Sequence, residues 1–348
     1  MDFLNCTTAE QKGLTLIERL LPPLVLITPL VAYAEPVTIE NFARAETDTY
    51  IRANMAAAGV EVGELSHLRS TITPENQTVI RQNQDTLYSG IVLDLTEPAA
   101  ITLPDIGGRY QSMHVISQDH YMYVVSEPGD YELTQEEVGT RFAMVNFRTF
   151  VDPADPEDVA AAQAAQDGIA VAGGGEGPFE APDWNQKDLT TARQALSTLS
   201  ELGFNSLYAY GREDEVKPVD FLVGAAAGWG GLPAYGAMYV IESVDANDGN
   251  TPHVLNVKDV PVSAFWSLTV YTAEGYLGSN ELGVNSYNSV TAERDPDGSI
   301  TLHFGGCEDR RVNCIPITPG WSYTVRLYEP KDEIIQGSWS FPKPAPAH

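Results

Sequence analysis

The stretch Ser263-Ala264-Phe265-Trp266-Ser267-Leu268-Thr269-Val270-Tyr271 decides how this chain is read. It joins aromatic, β-branched and small residues and runs into Thr272-Ala273-Glu274-Gly275, a turn. Alternation sets Ala264, Trp266, Leu268 and Val270 on one face, and Phe265, Ser267, Thr269 and Tyr271 on the other. Both faces are at least partly apolar, which is the pattern of a central strand covered on both sides.

Working outward, the last third is built from segments of the same kind. Ala237–Ser243, His253–Val257, Ser289–Ala292, Ser299–Phe304 and Trp321–Tyr328 read as strands, and Asp295-Pro296-Asp297-Gly298 has the chemistry of a hairpin turn. The first half repeats the theme. Ile91–Leu95, Ala100–Leu103, Tyr110–Val115, Tyr121–Val125 and Arg141–Val151 are short strands with turn signals at roughly eight- to twelve-residue spacing, a sandwich or barrel signature. Helices are expected at Thr38–Ala58, with Thr38 as cap, at the Ala-rich acidic stretch Asp152–Gln166, and at amphipathic Leu189–Leu202. Gly173-Gly174-Gly175, within Val171–Pro182, reads as a flexible linker. The fold expected is mainly β: two β-rich, sandwich- or jelly-roll-like domains with a few peripheral helices. They are placed at residues 35–170 and 221–348, joined by a linker and helix over 171–220 and preceded by a signal peptide over 1–34.

Charge narrows the partners. Twenty basic residues face 48 acidic ones, a net charge of −28. Such a surface repels nucleic acid and anionic membranes, so neither is expected as a partner. At the N-terminus, Leu20–Val31 is apolar, Lys12 and Arg19 precede it, and Ala32-Tyr33-Ala34 fits the small-x-small cleavage rule. The run is short and broken by Pro22, Pro23 and Pro29, so no stable membrane span is expected after processing. A secreted, periplasmic or cell-envelope location follows as the expectation. Cys6 would leave with the signal, and Cys307 and Cys314 would then form a disulfide in an oxidising compartment.

One polar segment stands apart: Arg81-Gln82-Asn83-Gln84-Asp85-Thr86-Leu87-Tyr88-Ser89. Arg81 offers a planar fork for a carboxylate or phosphate, and Asp85 can hold that fork or act as a base. Asn83, Tyr88 and, one hairpin later, Arg109 and Tyr110 add donors beside apolar rings, a usual lining for a small-molecule pocket. Arg81, Asp85, Tyr88 and Arg109 are expected to converge; a structural arginine–aspartate network is the competing reading. Catalytic candidates are Asp85, Tyr88 and His120, the last beside Asp119 and six residues after His114. Trp229, flanked by small residues, is a candidate cleft-lining residue, whereas Trp266, Tyr235 and Tyr271 read as core. No G-x-S-x-G elbow, H-E-x-x-H, phosphate loop or dinucleotide fingerprint is present, and no cofactor or metal is called for. Asp245-Ala246-Asn247-Asp248-Gly249 lacks the spacing and distal Glu of a calcium loop and reads as a turn.

Several separated motifs, in order, carry a family resemblance. Ala264–Tyr271, Asp297-Gly298-Ser299, Tyr323–Pro330 and Gly337-Ser338-Trp339 with Pro342 resemble domain of unknown function 1214. Arg81–Ser89, Asp94-Leu95, Pro104-Asp105 and Gly108-Arg109-Tyr110 resemble its usual companion, domain of unknown function 1254. The resemblance spans most of residues 38–342. It implies a β-rich, two-domain, often exported protein of the cell-envelope type, and it implies no established reaction. Two functions are therefore expected in competition. One is an exported enzyme or pocket protein for a small polar or carboxylate-bearing molecule; the other is a non-enzymatic envelope or interaction protein. A homo-oligomer is compatible with either.

Overall fold

The computed structural model describes residues 34–77 and 80–347. The signal-peptide reading, Cys6 and nearly all of the proposed cleavage site lie outside the described residues. Helix α1 (Phe42–Ala58) opens the fold, followed by β1 (Ser66–His67), β2 (Thr86–Asp94), β3 (Ala99–Leu103), β4 (Gln111–Ser117), β5 (Met122–Val125) and β6 (Gly129–Leu133). Then come α2 (Gln135–Val138), β7 (Phe142–Phe150), α3 (Pro156–Asp167), β8 (Ala170–Gly173), α4 (Gln186–Ser200) and α5 (Pro218–Ala227). The C-terminal part holds β9 (Ala237–Ser243), β10 (His253–Val257), β11 (Trp266–Tyr271), β12 (Ser286–Asn288), β13 (Ile300–Phe304), β14 (Cys314–Ile315), β15 (Ser322–Tyr328), α6 (Asp332–Ile335) and β16 (Ala345–Pro346).

These strands make four sheets, and the fold is mainly β. In the N-terminal half, the order β1-β2-β7-β4-β5 faces a small sheet, β6-β3-β8. Ile91, Leu93, Met113, Val115, Val145 and Phe147 from the larger sheet meet Ile101 and Leu103 from the smaller one in a single core. In the C-terminal half, β12-β11-β15-β9 faces β14-β13-β10-β16. Trp266, Leu268 and Val270, the apolar face read from the sequence, pack there with Val325, Leu327, Leu302 and Phe304. α1, α4 and α5 form a helical layer around Phe42, Leu189, Leu196 and Phe221. Among the described residues no helix is long and apolar enough to cross a membrane.

Local chemistry explains where the elements depart from expectation. α1 starts at Phe42, not Thr38, because the Asn41 side chain accepts the Thr38 N–H at 2.7 Å and closes a turn first. β12 ends at Asn288, whose side-chain oxygen accepts from the backbone of Val290 and Thr291, so Ser289–Ala292 is a turn and not a strand. The stretch read as a linker begins as β8, in register with β3 from Thr102↔Ala170 to Ala99↔Gly173. α5 begins with Pro at its first turn, where a missing N–H costs nothing. Cys307 and Cys314 form a disulfide, with Cα atoms 5.7 Å apart.

Candidate functional site

Each large sheet has a second face, and the two second faces meet. In β2 and β7 the registers Tyr88↔Arg148 and Gly90↔Asn146 place these residues opposite the sandwich core. β4 continues both rows with Ser112 beside Arg148 and His114 beside Asn146. The C-terminal sheet answers with Asn288, Ser267, Arg326 and Tyr239 in one row, and Ser286, Thr269 and Thr324 in the next. A sheet face of this polarity is expected at water. Here it is turned inward against a second polar face.

The seam is closed at one end by aromatic rings. Phe150 packs on Phe265 at 4.8 Å, and Tyr110 on Tyr328 at 5.4 Å between centroids. Beside them, Asn83 donates to the Tyr328 hydroxyl at 2.8 Å, and Ser286 and Asn288 each donate to Asp85 Oδ1 at 3.3 Å. Further in, the two polar faces continue. Tyr88, Asn146 and Arg148 keep accessible surface, although β7 has β2 on one side and β4 on the other. Four polar atoms on these faces are buried with no partner among the described residues: Asp85 Oδ2, Ser112 Oγ, His114 Nε2 and Ser267 Oγ. Ser267 lies beside Asp85 without reaching it in hydrogen-bond geometry.

Arginines dominate the charge of this space. Arg326 is 4% exposed and donates to Thr269 Oγ1 at 3.1 Å, to the Arg81 carbonyl at 2.8 Å and to the Tyr271 hydroxyl at 2.8 Å. Arg81 adopts a positive φ of 55°, which aims that carbonyl, and its guanidinium reaches Thr324 and Ser322 hydroxyls at 3.3 Å. Arg148 makes one contact near the limit of a hydrogen bond, 3.5 Å to His114 Nδ1, and its head lies 5.6 Å from the centre of the Tyr88 ring. None of the three pairs with a carboxylate at salt-bridge distance among the described residues.

The titratable groups respond to burial and to these cations. Burial raises the Asp85 carboxyl above its ordinary range, against the pull of Arg326 and three hydrogen-bonding neighbours. It pushes Tyr110 up to about 12 and raises Tyr239 and Tyr328 as well. Tyr88 goes the other way: burial opposes ionisation, but Arg148 with Thr86 and Asn83 outweighs it and lowers the phenol. Burial, then Arg148 and His120, hold His114 neutral. The arrangement can seat an anion between guanidinium forks and exchange a proton with it through Tyr88 or Asp85.

The residues singled out from the sequence divide. Arg81, Asn83, Asp85 and Tyr88 lie along the seam. Arg109 does not join them: it forks onto Asp158 of α3 at 2.5 and 3.0 Å and donates to the Phe150 carbonyl, tying the helix to the sheet. Asp119 and His120 do not cooperate, since Asp119 pairs with Arg44 at 2.7 Å. His120 is buried in a turn at φ 69°, where Nε2 accepts the Gly230 N–H at 3.0 Å and burial pushes its pKa down to about 3. Trp229 stacks on Tyr50 at 4.4 Å and donates to Thr47, so it packs against α1 and does not line the seam. Arg148, Arg326, Tyr239 and Ser267 were not picked out as site residues. For the two arginines the signal was a lone charge inside each of two strands with no other charged residue.

Comparison with known proteins agrees with this two-part architecture. Residues 62–173 match a family model described as Protein of unknown function (DUF1254), and residues 236–332 match Protein of unknown function (DUF1214). The crystal structure of the VPA0106 protein from Vibrio parahaemolyticus shares the fold. Its TM-score is 0.69 at 18% identity, over 89% of this chain and 98% of that one. An uncharacterized protein from Burkholderia cenocepacia superposes less well, with a TM-score of 0.43 at 14% identity over 84% of each chain. No curated protein matches the chain. The chain belongs to the family that carries domain of unknown function 1254 and domain of unknown function 1214 in tandem.

Proposed function

We propose that the space between the two polar sheet faces binds a small organic anion, with Arg148 and Arg326 as its charged walls. The observation that carries this is Arg148: a guanidinium inside the interface with no carboxylate partner among the described residues, whose contacts are a 3.5 Å approach to His114 and the Tyr88 ring at 5.6 Å. An enclosed charge without a counter-charge costs several kcal/mol, and a carboxylate docking on the fork relieves that cost. Tyr88 is the phenol lowered by its surroundings, so it is the group we assign to proton exchange with the bound acid. We further propose that the protein works outside the cytoplasm; the Cys307–Cys314 disulfide supports this reading.

Thermal melting against a panel of small carboxylates at constant ionic strength tests the proposal. A ligand at about one hundred times its Kd adds about 2.7 kcal/mol. At least one carboxylate should therefore raise Tm by several degrees in the wild type and by clearly less in Arg148→Met. No shift with any carboxylate, or an equal shift in the variant, would overturn it.

A further inference from the structure

Resting on that anion-site reading, the distribution of charge over the two walls narrows the ligand. Three guanidinium groups lie along the seam: Arg148 from the N-terminal sheet, Arg326 from the C-terminal sheet, and Arg81 laid over the C-terminal sheet beside Arg326. Among the described residues their hydrogen bonds all go to neutral groups. The partners are the hydroxyls of Thr324, Ser322, Thr269 and Tyr271, the Arg81 carbonyl and the His114 ring. Dipoles of this kind solvate a cation without cancelling it. Asp85 acts on Arg326 beyond salt-bridge distance, and its Oδ1 is engaged by Ser286 and Asn288.

The positive charge is also divided in space. Tyr88 stands beside Arg148 on the N-terminal sheet, and both Arg148 and, more weakly, Arg326 of the opposite sheet act on it. One carboxylate forks onto one guanidinium and leaves the opposite wall uncompensated. Among the described residues each wall holds buried polar atoms without a partner in hydrogen-bond geometry, although Ser112 lies beside Tyr110. On the Arg148 side these are Ser112 Oγ and His114 Nε2; on the Arg326 side they are Ser267 Oγ and Asp85 Oδ2. Because His114 Nδ1 faces an Arg148 N–H, the proton of the neutral ring sits on Nε2, a donor aimed at no protein acceptor.

We infer that the ligand is a dicarboxylate with separated acid groups, one held by Arg148 and the other by Arg326 with Arg81 beside it. Two carboxylates joined by a short apolar spacer match a space with a cation on each wall and tyrosine rings beside them. A compact anion such as phosphate matches one wall only.

Isothermal titration of the wild type, Arg148→Met and Arg81→Met tests this. The probes are straight-chain dicarboxylates of increasing length, their monocarboxylate counterparts and inorganic phosphate. One chain length should bind about 30-fold more tightly than its monocarboxylate counterpart, the factor one charge-assisted contact supplies. Each variant should reduce that dicarboxylate to the monocarboxylate level while leaving monocarboxylates bound at the remaining wall. If Arg81→Met does not fold, the length dependence and Arg148→Met decide. Equal affinity for mono- and dicarboxylates, or phosphate binding as tightly as the best dicarboxylate, would overturn the inference and leave the anion site standing. Binding of no anion at all would remove the site itself.

Discussion

Replacing Arg148 by methionine should leave the protein as stable as the wild type or make it more stable. Few contacts are lost: an approach of 3.5 Å to His114 and a ring contact at 5.6 Å with Tyr88. Together these are worth about 1–2 kcal/mol. Against that stands the desolvation of an enclosed guanidinium without a carboxylate partner, several kcal/mol. Methionine keeps the apolar stem and adapts to the space. The expected change is a gain between about 0 and 3 kcal/mol, read from guanidinium-chloride unfolding followed by tryptophan fluorescence. Arg326→Met is the internal control, because it gives up three short hydrogen bonds and the neighbour of Asp85. It should cost about 3–5 kcal/mol. A loss of more than about 3 kcal/mol in Arg148→Met would show that Arg148 is a structural cation, and the reasoning from its lack of partners would be wrong.

Other expectations follow from the same structure. The folded state holds the Asp85 proton more tightly than the unfolded chain does, so Asp85 makes stability fall as pH climbs from about 4 through its raised value. Asp85→Asn should remove that slope; a wild-type-minus-variant difference that is flat with pH, or rises, would contradict it. Trp266→Ala should destabilise by about 3–5 kcal/mol, since Trp266 is 3% exposed within the C-terminal core; an unchanged denaturant midpoint would place it outside that core. Replacing both Cys307 and Cys314 by serine reopens a loop with a sequence separation of 7 and should cost about 2.5 kcal/mol. Calorimetry checks this, and a Tm equal to wild type would count against it.

The sequence told its inner faces more plainly than its outer ones. Alternation through Trp266, Leu268 and Val270 marked one core directly, because an apolar face has one destination. Ser267 and Thr269 on the other face were ambiguous, since a polar face fits water as well as a second sheet. That is why Arg148 and Arg326 escaped notice: a lone charge in an otherwise uncharged strand gains meaning only when the opposing sheet is known. Arg109 misled for the opposite reason. Nearness to Asp85 in the chain suggested a shared site, yet its partner Asp158 comes from a helix 49 positions further on. β8 was hidden because Ala-Val-Ala-Gly has little strand character of its own, and the register with β3 decides its conformation. α5 was hidden by the small residues at its end, and packing of Phe221 and Val223 against Phe42 and Leu189 supplies what local propensity does not.

The central claim concerns one place, the space between Arg148 and Arg326. The most direct test is a crystal structure of the protein with the carboxylate that gives the largest thermal shift. The account predicts carboxylate oxygens about 2.7–2.9 Å from the guanidinium nitrogens of Arg148. An anion bound elsewhere, or an Arg148 side chain paired with a carboxylate of the protein itself, would contradict it.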